Sequence, residues 1–555
     1  MIDLWERIAL SVLSTGLFFA VGARAYGVMQ QCGYKNARFF AWLKRRDNLW
    51  YNRLCLLFLM LVLSCSLTAL GFSFLGAQIA RIVSVLPLCA FSILFCVTEG
   101  REPLKVKRVA TGRLVRLCSL HAVLSAAFCF ALASAFCAVG RRVGGEWLQL
   151  FFCLPVCVTP LFIPWIFMAA NVVSRLFEEP RNRRYVKKAA ERLRAAQEKG
   201  CIVIGVTGSY GKTSVKNALQ TVLSEKYRVF ATPSSYNTPV GIAKSVLSQN
   251  FDDAQVFIAE MGAKKSGDIE ELCRLFKPDY AIFTGVCRQH AETFGSEIDI
   301  FNEKKKIISF AKYATVCGGD LAEKYAANFT DEEKKKALFL PKDAVKNFGD
   351  AFDKTQFDLE LPTSFFRGDG CAAEKTQTGA ERTEIGRIEL PLLGKGTAEN
   401  VALAAATAAL LGLDKQQILN GVQKVTGVPH RLQLIRANGI YVLDDGYNAS
   451  EKSAAQALEV LKKFPGKKYV ITPGIVETGI EDREVNLPLG EALAQFDGVF
   501  LHRGAIAVKE GYLRAGGMAE RLGEYVDTQE ATKSLGEKLG EGDAVLFLND
   551  LPDAY

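Results

Sequence analysis

The sequence predicts a multi-helix transmembrane bundle followed by an α/β region of two domains. The first of these is a P-loop domain on a parallel sheet, and the second is smaller and Rossmann-like. Three observations carry this reading. Apolar runs of membrane-spanning length crowd residues 1–178. A glycine-rich turn that follows an apolar run ends in Lys212-Thr213. From residue 201 onward short apolar runs alternate with helix-length segments, the pattern of parallel strands joined by crossover helices.

The bundle comes first along the chain. The hydrophobic fraction is 49%, high for a soluble enzyme, and the excess lies before residue 179. Runs near 7–24, 54–76, 79–98, 117–138 and 148–173 each approach or exceed the ~20 residues that cross a bilayer. Pro87, Pro155, Pro160 and Pro164 interrupt two of them, which bundled membrane helices tolerate. The first run has an acidic flank, Met1-Ile-Asp-Leu-Trp-Glu6, and further runs follow it, so a retained helix is expected rather than a cleaved signal. The spans hold few ionisable residues, which argues against a transporter.

Loop charge sets the expected orientation. Arg24, Lys35, Arg38, Lys44, Arg45, Arg46 and Arg53 follow the first run, and Arg101, Lys105, Lys107, Arg108, Arg113 and Arg116 follow the third. Five spans put both segments on one side, and residues 179–555 on that side too. The expected location is the cytoplasmic membrane, multi-pass, with the N-terminus outside and the catalytic part in the cytoplasm. Much of the formal net charge of +9 lies in these loops and in the run from Arg181 to Arg194. A basic collar suits anionic headgroups, so membrane lipids are expected partners; no nucleic-acid motif accompanies it, and nucleic acid is not expected. Of 15 cysteines, ten lie in residues 1–157 and behave as small apolar residues, and the other five form no Cys-x-x-Cys pair. That pattern predicts neither a disulfide framework nor a zinc ribbon.

The expected domains are a membrane domain at 1–178, a basic helical connector at 179–200, a central domain at 201–427 and a C-terminal domain at 428–555. Strands are expected at Cys201–Val206, Val256–Ala259, Tyr280–Thr284, Tyr441–Leu443, Lys468–Thr472, Gly498–Leu501 and Ala544–Leu548. An Ala/Leu-rich helix is expected between Ala398 and Leu413. The polar stretch 318–392 breaks the rhythm and reads as a variable insertion or peripheral lobe.

The chemistry concentrates in a few motifs. After the expected strand comes Thr207-Gly208-Ser209-Tyr210-Gly211-Lys212-Thr213-Ser214. Glycines let backbone N–H groups curl around phosphates, a lysine reaches the outer phosphates and a hydroxyl ligates magnesium. The common form of such a loop has an earlier glycine where this chain has Val206. Next come Tyr236-Asn-Thr-Pro-Val-Gly-Ile242, Ile258-Ala-Glu-Met-Gly-Ala263, Thr284-Gly-Val-Cys-Arg-Gln-His290 and Asn302-Glu-Lys304. Gly396-Thr-Ala-Glu-Asn400, Pro429-His-Arg431 and Leu443-Asp-Asp-Gly-Tyr-Asn-Ala449 follow. In this order they resemble the Mur ligase family of ATP-dependent amide-bond formers, over about residues 200–555. Within it they are most similar to the branch that joins D-alanyl-D-alanine to UDP-N-acetylmuramoyl-tripeptide. Residues 1–178 have no counterpart in that branch.

The resemblance implies a set of roles. ATP turns a carboxylate into an acyl phosphate, and an amine then displaces phosphate; both steps build negative charge that fixed cations stabilise. Lys212 and Thr213 would hold the γ-phosphate and one Mg2+, with Glu260 completing that metal's shell. His290 would ligate a second Mg2+, and Lys304 matches a lysine that family members carry as a carbamate. Asn400 would face adenine, or serve only as a helix N-cap; Arg431 would touch nucleotide phosphate or ribose. Asp444 and Asp445 would lie near ribose or the incoming amine, and Tyr447 and Asn448 support the branch assignment. His121 and His502 read as structural. The branch pattern breaks at Gly446, at Ser450-Glu451 and in Thr472-Pro-Gly-Ile-Val-Glu-Thr-Gly479. These departures leave the ATP site intact and put the identity of the amine in question.

The expected function is therefore a membrane-anchored ATP-dependent ligase. It would add an amino acid or a dipeptide like D-Ala-D-Ala to a peptidoglycan-precursor-like carboxylate, soluble or lipid-linked. A membrane-bound poly-amino-acid synthase of capsule type is the alternative on the same fold. A non-catalytic ATP-binding scaffold is the alternative outside enzymes, and the joint presence of Lys212, Thr213, Glu260, His290 and Lys304 argues against it.

Overall fold

The computed structural model describes residues 22–44, 53–60, 109–143, 147–233, 236–248, 253–288, 291–367, 381–447, 449–476, 478–525 and 528–549, with a few isolated positions besides. The chain forms two compact units that part between Asn182 and Arg183.

In the first unit the expected runs at 7–24, 54–76 and 79–98 lie wholly or largely outside the described residues. Those at 117–138 and 148–173 fall within the helices Gly112–Val143 and Trp147–Glu198. Among the described residues two stretches, Gly112–Phe136 and Leu161–Glu198, are long and apolar enough to cross a membrane. Among the described residues, two of the five expected spans thus have a matching helix. The short helices Ala23–Gln31 and Asn36–Leu43 bring Tyr26, Met29 and Phe39 into one apolar cluster with Leu117 and Phe167. Polar contacts cross it: the Asn171 amide donates to the Tyr34 carbonyl at 3.0 Å, and the Tyr26 hydroxyl meets His121 Nδ1 at 2.7 Å. In apolar surroundings such pairs tie helices together, because an unmatched polar group there is costly.

The second unit is built on two six-stranded sheets. The first has the order β2-β3-β1-β4-β5-β6, all parallel. Its strands are β1 (Ile202–Thr207), β2 (Val229–Ala231), β3 (Val256–Glu260), β4 (Tyr280–Phe283), β5 (Ala314–Cys317) and β6 (Ala337–Phe339). β3, β4 and β5 are apolar along nearly their whole length because helices cover both faces. On one face the helix Lys212–Leu223 lays down Val215, Leu219 and Val222. On the other, Val186, Ala189 and Leu193 of the connector join Phe257, Phe283 and Phe301. These connector positions are three and four residues apart, so one helical stripe packs into the core while Lys187 and Lys188 between them face solvent. β1 lies between β3 and β4, where the strand order reverses, and the chain leaves it into the glycine-rich turn. Such a switch point opens a crevice at the carboxyl ends of the strands.

The stretch 318–392 differs from the expected peripheral lobe. It supplies β6, the edge strand of the parallel sheet, and then β7 (Val345–Asp350), β8 (Thr355–Pro362) and β9 (Arg382–Leu390), which form an antiparallel sheet. Inward side chains of β8 and β9, among them Phe357, Leu359, Ile385 and Ile388, enter the same core as the helix Lys395–Leu410, with a break in register between Leu359 and Glu360. The outward residues of these strands are charged, which masked a period-two pattern under a polar composition.

The second sheet has the order β10-β11-β15-β12-β13-β14. Its strands are β10 (Gln433–Ala437), β11 (Ile440–Asp445), β12 (Lys468–Thr472), β13 (Gly498–His502), β14 (Leu522–Tyr525) and β15 (Ala544–Leu548). β10 runs antiparallel to β11 across Asn438-Gly439, whose φ angles of 51° and 78° are those of a tight hairpin turn. The remaining pairs are parallel, as expected of a Rossmann-like domain.

Because Leu193 is 1% exposed within the parallel sheet's core, Leu193→Ala should destabilise the chain by about 2–4 kcal/mol. Lys188→Ala, on the solvent side of the same helix, should leave stability unchanged. Denaturant unfolding of the two variants checks the contrast.

Candidate active site

The turn after β1 is held open by two glycines that no other residue could replace without movement. Gly208 has φ of 148°, and a Cβ there would stand 1.9 Å from Thr284 Oγ1. Gly211 has φ of 74° and precedes the helix Lys212–Leu223; its Cβ would come within 2.5 Å of Asn400 Oδ1. The loop is fastened to the end of β4: Ser209 N–H donates to the Gly285 carbonyl at 2.8 Å, and the Thr284 hydroxyl donates to the Tyr210 carbonyl. Thr207 is buried, and its hydroxyl donates to the Met261 carbonyl at 3.0 Å, clipping β1 to the segment after β3. The Lys212 ammonium folds over the loop, donating to the carbonyls of Gly208 at 2.8 Å and Ser209 at 3.3 Å. Burial lowers its pKa, and the charge of Glu260 opposes that shift.

Glu260 ends β3 beside this loop and is 1% exposed. Its Oε2 accepts from the Thr213 hydroxyl at 3.0 Å and from the Lys216 ammonium at 3.3 Å. Its Oε1 accepts from the Asn237 amide at 3.3 Å. Among the described residues no three His, Cys, Asp or Glu side chains cluster as a metal site. The Thr213 and Glu260 oxygens nonetheless suit Mg2+, which takes one or two carboxylates and completes its shell with phosphate oxygens and water. His290, the expected second ligand, lies outside the described residues.

Lys304 closes the helix Glu297–Lys304 and is 1% exposed. Burial, together with the Lys212 charge, brings its pKa down to about 7. Around neutral pH a large fraction of it is therefore the free amine.

The C-terminal lobe completes the cavity. The linker into it carries His430 and Leu432 with φ of 60° and 46°, which turns Arg431 inward between them. Arg431 donates to the Tyr447 carbonyl at 2.6 Å and lies over the Tyr447 ring. The two aspartates at the end of β11 part company. Asp445 is buried, lines the cavity and accepts from Leu432 N–H at 3.0 Å; burial raises its carboxyl to about 6 against the pull of Arg431. Asp444 instead meets His430 Nδ1 at 2.7 Å. Asn448 lies outside the described residues.

A single cavity thus gathers Ser209, Lys212, Thr213, Asn400, Arg431 and Asp445, with Gly211 and Ser214 also on its wall. Asn400 is not an N-cap: its helix starts at Lys395 after Gly394, and Asn400 lies in the second turn, facing Gly211. His121 lies in the first unit, and His502 ends β13 and accepts from Gly504 N–H, so neither belongs to the cavity. Sequence reasoning assigned no role to Tyr210, Lys216, Asn237, Glu399 or Lys452. Asn237 stood within a quoted motif, and Lys216 follows Lys212 by one helical turn, a spacing that puts both on one face.

Comparison with known proteins agrees with this geometry. Residues 206–408 match the Mur ligase middle domain. The UDP-N-acetylmuramoyl-tripeptide--D-alanyl-D-alanine ligase of Bacillus subtilis (strain 168) is 29% identical over 360 residues, 63% of this chain and 73% of that protein. The protein of the same name from Treponema pallidum (strain Nichols) is 31% identical over 277 residues, 49% of this chain and 54% of that one. Among solved structures, MurF ligase from Thermotoga maritima in complex with ADP is similar with a TM-score of 0.54 at 25% identity, covering 67% of this chain and 81% of that one. With its glycine-rich loop, its buried Thr213–Glu260 pair and its two-lobed α/β architecture, the chain carries a Mur ligase middle domain at residues 206–408 and is similar to the ATP-dependent ligases of that family.

Proposed function

We propose that this chain activates a carboxylate with ATP and joins it to an amine through an acyl phosphate. The acceptor is a peptidoglycan precursor of the UDP-N-acetylmuramoyl-tripeptide kind, and the amine is D-alanyl-D-alanine or a close dipeptide. The single observation behind the reaction type is the convergence of Lys212, Thr213 and Arg431 on one cavity lined by both lobes, with Glu260 accepting from the Thr213 hydroxyl. The named substrates of the relatives support the substrate class.

In this reading the backbone N–H groups of the loop and the Lys212 ammonium bind the triphosphate. Thr213 and Glu260 would hold Mg2+, which when bound neutralises phosphate charge. The acceptor's carboxylate oxygen attacks the γ-phosphorus and ADP leaves; the amine nitrogen then attacks the acyl carbon, loses a proton and expels phosphate. Lys212 and Arg431 supply positive charge where negative charge grows on phosphoryl oxygens. Asp445 and Asn400 sit where the nucleoside would lie. In its free-amine form Lys304 can add CO2 with loss of a proton, giving a carbamate whose negative charge would offset that of the Lys212 ammonium.

We also propose that the first unit is seated in the cytoplasmic membrane with the catalytic unit on the cytoplasmic side. Its support is the run of apolar segments in the sequence and the exposure of Val123, Trp165, Val172, Leu176 and Phe177 on the two long helices.

Phosphate release from ATP, screened over UDP-linked muramoyl peptides with D-alanyl dipeptides and single amino acids, tests the reaction. Turnover should need acceptor and amine together. Lys212→Ala should lower it by at least about 100-fold without changing expression. With 13C-labelled bicarbonate, NMR should reveal a carbamate resonance that Lys304→Ala lacks. That signal should grow as pH rises through about 7, because the reactive species is the deprotonated amine. The chain should fractionate with membranes, resist extraction by salt and carbonate, and come away with detergent.

A further inference from the structure

One cation in the cavity is left over by this reading. Lys452 sits on the C-terminal lobe, in the first turn of the helix Glu451–Leu461, yet its ammonium bonds to Tyr210, Asp320 and Glu399 of the central domain. Its ammonium donates to Asp320 Oδ2 at 2.6 Å, to Glu399 Oε2 at 3.1 Å and to the Tyr210 hydroxyl at 3.3 Å. It also lies 4.8 Å from the centre of the Tyr210 ring.

The placement is a fixed one. Ser450 caps the helix, and Ser453 answers in a capping box, so the first turn is rigid. A cation at a helix N-terminus is opposed by the helix dipole. Asp320 and Glu399 offset that opposition from across the lobe boundary. Lys452 itself stays partly solvated, with its side chain 30% exposed.

Tyr210 is the element that gives this contact a consequence. It is the central residue of the phosphate loop, between Ser209 and Gly211. Its carbonyl accepts from Thr284, and its hydroxyl lies against Gly285, where a Cβ would approach to 2.1 Å. The hydroxyl also donates to Asp320 at 3.4 Å. The central domain therefore holds Tyr210 from the β4 side, and Lys452 is the contact from the other lobe.

We infer that Lys452 is a positioning residue that ties the C-terminal lobe to the phosphate loop through Tyr210, so that nucleotide affinity depends on closure of the lobes. When the lobes are apart, Tyr210 loses the Lys452 contact and the loop is held from one side only. When they are together, the loop is clamped in the shape that presents its N–H groups. A charged contact of this kind couples two equilibria, and coupled equilibria are reciprocal: nucleotide in the loop favours closure to the same extent that closure favours nucleotide.

This inference rests on the loop being an ATP site. The test measures binding of a non-hydrolysable ATP analogue with Mg2+ by calorimetry on the full chain in detergent. Lys452→Met should weaken binding about fivefold or more, and Lys452→Arg should restore most of it. Tyr210→Phe should weaken binding in the parent chain and have much less effect when combined with Lys452→Met, because the two act through one contact. Melting temperatures of the unliganded variants separate folding from binding. Parent-like affinity in a folded Lys452→Met or Tyr210→Phe chain, or strictly additive effects in the double variant, overturns the inference. A parent chain that does not bind the analogue at all removes the proposed function itself.

Discussion

The cavity is organised around one buried carboxylate. Glu260 and Lys216 are both about 1% exposed, and their contact is 3.3 Å. Removing two such charges from water costs several kcal/mol per ion, and attraction recovers that only when the remaining lone pairs are also satisfied. Thr213 and Asn237 do this, one on each carboxylate oxygen. The result is a negative group that cannot move independently of the phosphate loop, because Thr213 belongs to the loop's helix and Glu260 to the neighbouring strand. The parallel register of β1 with β3, Val206 opposite Glu260, is what brings them level. Sheet pairing thus sets the spacing between a hydroxyl and a carboxylate, the distance on which metal-assisted phosphate chemistry depends.

The second constraint is the passage between the lobes. His430 and Leu432 both adopt left-handed backbone, a conformation that costs non-glycine residues of order 1–3 kcal/mol each. The surroundings over-determine it. Leu432 N–H is tied to Asp445, Arg431 to the Tyr447 carbonyl, and His430 to Asp444. The outcome is that a guanidinium on a short connecting segment reaches the same cavity as a lysine on a separate domain. Burial disfavours the charge on Arg431, and Asp445, Tyr447 and Glu260 restore part of it, in that order.

The sequence foretold the phosphate loop because its signal is local: an apolar strand, glycines and Lys212-Thr213 lie within a dozen residues. The same holds for β12 and β15, where short apolar runs matched the strands to the residue. Three features escaped. β8 and β9 carry charged residues on their outward face, so their alternation was lost in the average over 318–392. The helix Lys395–Leu410 begins a turn earlier than its alanine-rich core, which moved Asn400 from the expected first position into the second turn. Lys452 was invisible because its partners are 53, 132 and 242 residues away, and no pattern within one element encodes a contact made by closing two lobes.

Asp444 and Asp445 show how sheet geometry divides labour between two residues that are identical in sequence terms. Successive side chains on a strand point to opposite faces. β11 is paired on both edges, with Asp444 opposite Gln433 on β10 and Phe547 on β15, so its register has no freedom to slip. Asp445 falls on the face of Leu443, which packs under the helix Glu451–Leu461, and this carries it into the cavity. Asp444 falls on the other face and anchors His430. A one-residue slip would exchange the two, withdrawing the carboxylate that steadies Leu432 and turning Arg431 away from the phosphate loop. The reach of Arg431 is therefore a property of the second sheet's register as much as of the linker that carries it.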